Sequence, residues 1–405
     1  MNKHKIINDP VYGFISIPYE IIFDLMEHPF FQRLRRIQQL GLTSLVYPGA
    51  VHSRFHHTVG SVHLMAEALK ELKQKGINIS EKESEAVTIA ILLHDIGHAP
   101  FSHALEETLL PVSHEAMSLR LMKQLNKEFN GELQKAIDIF NDTYPKKFLH
   151  QLVSSQLDMD RLDYLNRDSF FTGVAEGVIG YDRIIKMLSV KNDTLVVEEK
   201  AIYSIEKFIV SRRLMYWQVY LHRTVLAAEQ MLVKILKRAK EISLRGKNLF
   251  SSPSLKFFLE NNFLSTDLND EVINHFANLD DHDIYCAIKV WQANDDDILS
   301  YLCDALLNRR LFNIELQSEK FSEQRIAELK EKIKKQFSVS DDELNYFFIS
   351  DSTSNNAYNK TTGQIFILMK TGEVKDIALA ADHLNISALS APVVKYFLSW
   401  VEEVK

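Results

Sequence analysis

Two adjacent residues, His94 and Asp95, end a run of apolar side chains and are followed closely by His98 and His103. An imidazole and a carboxylate can share a divalent metal ion, whereas a buried carboxylate without a partner is costly. A lone His-Asp pair is more often a capping or hydrogen-bonding arrangement. Because further histidines follow so closely, the sequence favours a functional site, and more ligands are expected elsewhere in the chain.

Two other stretches offer candidate ligands. His57 lies beside Arg54 at the start of a helix predicted over 58–73, and Asp160 lies in a stretch that mixes acidic and apolar residues. A polar turn would also account for His57, and a solvated acidic face for Asp160. Together with His94 and Asp95, they would supply nitrogen and oxygen ligands from three helices, which suits a hard or borderline divalent ion with open coordination positions.

The stretch 151–168 is predicted to be helical and to present several functional groups on one side. Arg161, Tyr164 and Asp168 fall at i, i+3 and i+7 on one face. Apolar residues lie between the charges, so a simple solvent-exposed face is a poor description of this helix. It would offer a cation, an aromatic ring and a carboxylate to one pocket.

Cations near the metal ligands indicate phosphate as the substrate group. Arg54, Arg161 and Arg223 could each bind phosphate through two parallel hydrogen bonds, and Tyr220 lies one helical turn before Arg223 in a helix predicted over 202–242. An open metal site activates water and polarises a phosphoryl oxygen. The residues alone therefore predict metal-assisted hydrolysis of a phosphoester or phosphoanhydride.

The elements that must position these residues are mostly helices. Apolar spacing, caps and breakers predict helices over 19–26, 29–40, 58–73, 84–95, 113–127, 151–168 and 202–242. Gly97 is expected to cap the helix that ends at His94-Asp95, and Arg33, Arg35 and Arg36 are assigned to a solvated face. β-type patterns occur near 14–17, over 188–200 and between 345 and 378. We therefore predict a mainly α fold with a catalytic core over 1–245 and a smaller helical and α+β C-terminal region over 246–405.

Composition limits the class of protein. The chain has 405 residues and a net charge of −7, which argues against a surface that coats nucleic acid. No apolar run reaches the roughly 18 residues of a membrane span, and no signal-peptide pattern is present. Only Cys286 and Cys303 occur, so a disulfide framework is not expected and a cytoplasmic location is.

Short stretches around these residues resemble the HD-domain phosphohydrolase superfamily, whose motif is H…HD…D. Within it, the chain resembles the deoxynucleoside triphosphate triphosphohydrolases, which include bacterial dGTPases and a vertebrate enzyme with a sterile-alpha-motif domain. The matching short motifs are Gln32-Arg-Leu-Arg35, Gln39-Leu40, Tyr47-Pro-Gly49, Arg54-Phe-x-His57, His94-Asp-Ile-Gly-His-x-Pro-Phe-Ser-His103, His114-Glu115, Asp158-Met-Asp-Arg-Leu-Asp-Tyr-Leu-x-Arg-Asp168 and Tyr220-Leu-His-Arg223.

The resemblance implies an HD-domain helical core and a catalytic centre that binds divalent metal. Its metal ligands would be His57, His94, Asp95 and Asp160. The expected ion is Mg²⁺ or Mn²⁺, ahead of Fe, Co or Zn. His98 and His114 would line the site near the α-phosphate, and His114 would act as the general acid on the leaving 5′-oxygen.

The resemblance also implies a nucleotide subsite. Phosphates would be held by Arg54, His103, Arg161 and Arg223. Gln39 and Asp168 would bind the sugar 3′-hydroxyl, Tyr164 and Tyr220 would pack against the sugar, and His222 is counted with the same subsite. Tyr220 would leave no room for a 2′-hydroxyl, so the products would be deoxynucleoside and tripolyphosphate.

Some family features are matched only in part. Arg161 and Arg223 stand where the vertebrate enzyme has lysines, and no sterile-alpha-motif domain is recognised. The family is commonly oligomeric, from dimers to tetramers or hexamers, and is activated by a nucleotide at an interface. Arg35 lies in the N-terminal motif that corresponds to part of this activating site in the family. Two other functions stay open: a phosphatase or phosphodiesterase for nucleoside monophosphates or cyclic nucleotides, and a nucleotide-sensing regulatory protein.

Overall fold

A computed structural model of the chain describes residues 5–101, 108–360 and 363–401. The described α-helices, numbered in chain order, are α1 (Glu20–Glu27), α2 (Pro29–Gln32), α3 (Arg54–Gln74), α4 (Glu81–Leu93), α5 (His114–Glu128), α6 (Gln134–Phe140), α7 (Lys147–Val153), α8 (Met159–Thr172), α9 (Tyr181–Lys186), α10 (Ile202–Met215), α11 (Arg223–Leu244), α12 (Pro253–Glu260), α13 (Asp270–Ala277), α14 (Asp281–Trp291), α15 (Asp297–Leu307), α16 (Glu323–Phe337), α17 (Asp341–Leu344), α18 (Ile377–Ala380) and α19 (Ile386–Leu389). The described strands are β1 (Ile6–Asp9), β2 (Gly13–Ser16), β3 (Leu188–Lys191), β4 (Thr194–Glu198), β5 (Asn313–Gln317), β6 (Phe348–Asn355), β7 (Phe366–Leu368), β8 (Val374–Asp376) and β9 (Val393–Trp400).

In the N-terminal half of the chain, α3 packs against both α4 and α8. The close approach to α8 depends on Gly60, because a Cβ at this position would lie 2.0 Å from Oδ1 of Asp163. The helix begins at Arg54, earlier than the predicted residue 58, and Ser53 precedes it as the N-cap. His57 is therefore inside the first turn of α3 and points into the protein.

Helix α4 carries the apolar run to His94 and is buried on nearly all sides. The prediction that Gly97 caps this helix is wrong. Gly97 is not among the glycines with positive φ, and a Cβ there would lie 2.3 Å from the backbone nitrogen of Ser118. A glycine is required because the turn after α4 touches α5, and not because the backbone is left-handed.

Three predicted helices are shorter or interrupted. The segment predicted over 29–40 is α2 followed by a 3₁₀ turn, Arg33–Arg36. The predicted helix over 151–168 begins only at Met159, because Asp158 accepts a hydrogen bond from the backbone of Arg161 as its N-cap. A π-helical segment, Tyr216–Tyr220, separates α10 from α11.

The assignment of Arg33 to a solvated face is also wrong. Its guanidinium is buried and donates to the backbone carbonyls of Leu279 at 2.6 Å, Ile96 at 3.3 Å and His98 at 2.8 Å. Arg35 and Arg36 are exposed, as predicted. The sequence pattern did not separate the three arginines because the partners of Arg33 lie far away along the chain.

The strands form three small sheets, with orders β1-β2, β3-β4-β7-β8 and β5-β9-β6. In the second sheet, β7 pairs in parallel with β4, so a strand from the C-terminal region joins the β3–β4 hairpin. The prediction of a mainly α fold with a smaller α+β C-terminal part is confirmed. Among the described helices, none combines the length and apolar character needed to cross a bilayer.

Candidate metal centre and active-site cleft

Side chains from α3, α8 and the end of α4 meet at one point. Nε2 of His57 lies 3.0 Å from Oδ1 of Asp160, and Nε2 of His94 lies 3.5 Å from the same oxygen. Both imidazoles are buried, and the three ligand atoms lie within 4.8 Å of one another. The sequence therefore placed these three residues together correctly, and their arrangement could hold a metal ion.

The far side of each imidazole is fixed by a hydrogen bond. Nδ1 of His57 pairs with Oδ2 of Asp163 at 2.8 Å, and Nδ1 of His94 pairs with the carbonyl of Ile91 at 2.6 Å. These partners are acceptors, so each Nδ1 carries the proton and each Nε2 presents a lone pair. Both Nε2 atoms are buried and make no hydrogen bond to any described residue. This is the orientation that metal-ligating histidines take.

Asp95 completes the group from the other side. Its carboxylate lies 3.3 Å from Nε2 of His94 and 3.8 Å from Nε2 of His57, and Arg54 donates to it directly. Asp95 could thus be a ligand, while Arg54 balances its charge. All four residues that the sequence assigned to the metal are brought together.

The electrostatics of the centre favour a positive charge. Although burial lowers it, the pKa of His57 is raised to about 10 by the neighbouring carboxylates of Asp160 and Asp163. Burial opposes ionisation of Asp160, yet His57 and His94 hold the pKa of that carboxyl well below its usual range. The negative carboxylates that keep protons on the imidazoles would also stabilise a metal cation bound among these groups.

Two further histidines lie beside Asp95. Nδ1 of His98 is 3.4 Å from Oδ1 of Asp95, and the rings of His98 and His114 stack with centroids 4.0 Å apart. His114 is the first residue of α5, directly after Ser113, whose side chain accepts from the backbone of Ala116. The predicted helix start is therefore confirmed, and it places an imidazole at the edge of the centre.

A cleft of about 960 Å³ extends from these residues. The predicted site residues that line it are Gln39, Arg54, His94, Asp95, His98, His114, Asp160, Arg161, Tyr164, Asp168 and Tyr220. His57 does not line the cleft, because its side chain is fully buried behind the residues that do. The cleft is thus large enough for a nucleotide, and one end of it is the candidate metal centre.

The other predicted site residues are placed differently. Arg223 is exposed, and His222 is the N-cap of α11, where its Nδ1 accepts from the backbone of Thr224 at 3.2 Å. Neither residue is among the described residues that line the cleft. His103 lies outside the described residues.

A polar group lies on the cleft wall formed by α8 and the π-helical segment. The hydroxyl of Tyr220 donates to Oδ2 of Asp168 at 2.8 Å, and Nε2 of His52 pairs with Oδ1 of the same carboxylate at 2.7 Å. The rings of Tyr164 and Tyr220 meet edge to face, with centroids 6.1 Å apart. Two aromatic rings with a carboxylate between them suit a sugar better than a phosphate.

Comparison with known proteins identifies the family. The HD domain model matches residues 54–168, and the HD associated region matches residues 179–251. The crystal structure of a phosphohydrolase from Bacteroides thetaiotaomicron is 53% identical in sequence, has a TM-score of 0.95, and covers 99% of this chain and 100% of that chain. The chain belongs to the HD-domain phosphohydrolase family.

Other relatives of this HD phosphohydrolase differ in how much is known of them. The uncharacterised protein YwfO of Bacillus subtilis is 31% identical over 93% of this chain and 88% of its own. The deoxynucleoside triphosphate triphosphohydrolase SAMHD1 homologue of Dictyostelium discoideum is 32% identical over 58% of this chain and 50% of its own length. This HD phosphohydrolase therefore spans about half of that relative.

Sequence reasoning missed three residues of this HD phosphohydrolase. Asp163 was read only as part of an acidic pattern, although its spacing of four from Arg167 is that of a helical ion pair. His52 lay outside every pattern considered. Glu229 lines the cleft, and burial raises the pKa of its carboxyl to about 7, but nothing in the apolar pattern of α11 distinguishes it.

Proposed function

We propose that this HD phosphohydrolase hydrolyses deoxynucleoside triphosphates to deoxynucleoside and tripolyphosphate. One observation carries the proposal: a single cleft of about 960 Å³ joins a metal-competent centre, two arginines and a carboxylate set between tyrosines. These three features match the reacting phosphate, the remaining phosphates and the sugar of one substrate. The triphosphohydrolase relatives support this choice of substrate.

In this proposal His57, His94, Asp95 and Asp160 are the ligands of a divalent ion, with Mg²⁺ or Mn²⁺ expected first. The bound ion supplies Lewis acidity toward a phosphate oxygen and the attacking water. Asp163 and the carbonyl of Ile91 keep the two imidazoles oriented. These residues fit a divalent ion because the two buried Nε2 atoms make no hydrogen bond to any described residue.

The cleft residues then perform the remaining steps. Water attacks the α-phosphorus, the bond to the 5′-oxygen breaks, and His114 gives a proton to that oxygen as it leaves. His98 stacks on His114 and so holds its ring toward the cleft. Arg54 and Arg161 neutralise the phosphates, because both line the cleft and a guanidinium binds phosphate through paired donors.

At the other end, the sugar 3′-hydroxyl lies against Asp168 and Gln39 and donates its proton to an oxygen of one of them. Tyr164 and Tyr220 pack against the sugar, and Tyr220 is held in place through Asp168. A 2′-hydroxyl would have to displace the Tyr220 ring, so ribonucleotides should be poor substrates.

Hydrolysis of a nucleoside monophosphate or cyclic nucleotide is the second candidate. It is favoured by the position of Arg223, which does not border the cleft, so that Arg54 and Arg161 are the arginines found there among the described residues. A monophosphate needs fewer cations than a triphosphate.

We also propose that residues 1–245 form the catalytic unit and residues 246–405 a region for oligomerisation or regulation. In support, the described cleft residues lie between Gln39 and Glu229. A homo-oligomer, from dimer to tetramer or hexamer, and an activating nucleotide belong to the same proposal. Light scattering with and without nucleotide would measure the assembly.

Product analysis tests the function. Purified protein is incubated with Mg²⁺ or Mn²⁺ and all four dNTPs, then with each dNTP alone, with rNTPs, and with dNMPs and cyclic nucleotides. The expected result is that dNTPs yield deoxynucleoside and tripolyphosphate, whereas rNTPs, dNMPs and cyclic nucleotides yield no product. Activity only in the dNTP mixture would show a separate activating site, and turnover of monophosphates in place of triphosphates would establish the second candidate.

The matched variants are Asp160→Asn and Asp182→Asn. Both replace a carboxylate by an amide of the same size, but Asp182 is exposed and lies outside the cleft. Asp160→Asn should abolish product formation and Asp182→Asn should not. Equal activity of the two variants would contradict the proposed centre.

A further inference from the structure

Two buried side chains, His52 and Asp168, and the partly buried Tyr220 form a hydrogen-bonded series that ends in the cleft. Nε2 of His52 lies 2.7 Å from Oδ1 of Asp168, and Oδ2 of Asp168 accepts from the Tyr220 hydroxyl at 2.8 Å. The side chains of His52 and Asp168 are 0% and 1% exposed. An ionised carboxylate only accepts, so His52 must be the donor. His52 thereby occupies one carboxylate oxygen and leaves the other for groups in the cleft.

The backbone of His52 holds a second cleft residue. Its carbonyl accepts from the backbone nitrogen of Gln39 at 2.9 Å, and the neighbouring residues Gln38 and Ser53 form an antiparallel bridge. Oε1 of Gln39 is buried and has no hydrogen-bond partner among the described residues. An acceptor in this state requires a donor from a ligand or from water.

We infer that His52 is the positioning residue of a subsite that recognises a sugar hydroxyl. Oδ2 of Asp168 can accept a second hydrogen bond beside that of Tyr220, since a carboxylate oxygen has two lone pairs. Together with Oε1 of Gln39 it offers acceptors to the cleft, and a sugar hydroxyl has one proton that it can donate to either of them. His52 fixes both residues, one through its side chain and one through its backbone. The inference rests on the proposed function only for the identity of this hydroxyl as the 3′-hydroxyl of a deoxynucleotide.

The imidazole acts through its hydrogen bond and also through its packing, and the two contributions can be separated. The ring stacks on Phe171 with centroids 4.4 Å apart and planes inclined by 16°. His52→Phe keeps an aromatic ring on Phe171 but removes the donor to Asp168. Phe171→Leu weakens the stacking and retains the donor. A subsite role predicts opposite outcomes for these variants in sugar discrimination, whereas a purely structural role predicts the same outcome.

Kinetics with a dNTP and its 2′,3′-dideoxy analogue provide the first test. In His52→Phe the KM for the dNTP should rise about tenfold, the change expected for one lost hydrogen bond to a charged group. The KM for the dideoxy analogue and the kcat for both should stay nearly unchanged. Phe171→Leu should keep the wild-type preference, and His52→Gln, which has an amide donor, should restore part of it. If His52→Phe does not fold, His52→Asn, whose donor is too short to reach Asp168, takes its place.

Calorimetric binding of a deoxynucleoside and a 2′,3′-dideoxynucleoside provides the second test, which needs no turnover. A preference for the 3′-hydroxyl that disappears in His52→Phe supports the inference even if wild-type protein hydrolyses no dNTP, in which case the proposed function alone fails. An unchanged preference in His52→Phe, or an equal loss for both ligands, would overturn the inference.

Discussion

Each imidazole of the candidate metal centre is held by a residue that does not itself line the cleft. His57 is the clearest case, because Asp163 binds its Nδ1 and also accepts from Arg167 at 2.9 and 3.0 Å. Arg167 in turn donates to Asp9 at 2.8 Å, and its side chain is fully buried. The ligand geometry is thus set by a buried series of alternating charges that begins at the β1 strand.

Asp163→Asn should weaken metal binding by roughly 10- to 100-fold, the usual effect of losing a carboxylate behind a ligating histidine. The amide keeps the size of the side chain but no longer fixes the imidazole with a full negative charge. Titration calorimetry with Mn²⁺ measures the affinity. Asp9→Asn is the control, because it loosens Arg167 from the other side without touching His57. Equal losses of affinity in both variants would mean that stability, and not His57 orientation, is responsible.

At the scale of elements, both ends of α4 are anchored, so the turn that carries His94 and Asp95 has little freedom. At the start, Ser80 and Glu83 cap each other, and Lys146 donates to Glu83 at 2.8 Å. At the end, Arg33 binds the carbonyls of Ile96 and His98 and connects them to Leu279. The placement of the turn that carries His94 and Asp95 therefore depends on residues far from it in sequence.

Arg33→Met should lower the free energy of unfolding by about 3 kcal/mol, because buried carbonyls and the nearby acidic residues lose their cationic partner. Urea denaturation measures the change. Arg35→Met is the matched control, since Arg35 is exposed and stacks over Phe55 at 3.5 Å, a contact that contributes about 1 kcal/mol or less. A loss for Arg33→Met no larger than that of the control would show that α4 does not depend on this anchor.

The Glu83 cap should make stability sensitive to acid. Burial raises the pKa of this carboxyl, but hydrogen bonds from Lys146 and from the Ser80 backbone outweigh it and lower the pKa to about 2. The folded pKa lies below the ordinary value of 4.5, so the stabilisation is complete above pH 4.5 and disappears as the pH falls toward 2. Glu83→Gln should cost about 2 kcal/mol at pH 7 and progressively less below pH 4.5, as followed by urea denaturation at several pH values. A deficit that is independent of pH would contradict this account.

At the scale of the whole molecule, the C-terminal region contacts the N-terminal half of the chain. Strand β7 pairs with β4, and the side chain of Gln156 binds Asn359 and Gly363 through their backbones. Gln156 lies between α7 and α8, just before Asp158 and Asp160. The C-terminal segment is thus attached directly beside a candidate metal ligand.

The sequence predicts local features of the fold and of the candidate site better than long-range ones. The start of α5 at His114 was predictable because Ser113 and the apolar spacing act within a few residues. The meeting of His57, His94 and Asp160 was predictable because motif spacing carries it. The burial of Arg33 was not, because its partner Leu279 lies far along the chain. The π-helical segment was not either, because it adds a residue to one turn without altering residue types.

Gln156→Ala should release the C-terminal segment without unfolding the catalytic half. Three hydrogen bonds to Asn359 and Gly363 are lost, while the β4–β7 pairing and the core remain. Hydrogen exchange should therefore speed up in the β7 strand and in the turn before Asp158, with α3 and α4 unaffected. Gln292→Ala is the control, since the side chain of that exposed glutamine donates to the nearby carbonyl of Lys289 and, among the described residues, holds no distant segment. If exchange in β7 stays at the wild-type rate, strand pairing alone holds the segment; if α3 also exchanges faster, the contact supports the catalytic half as a whole.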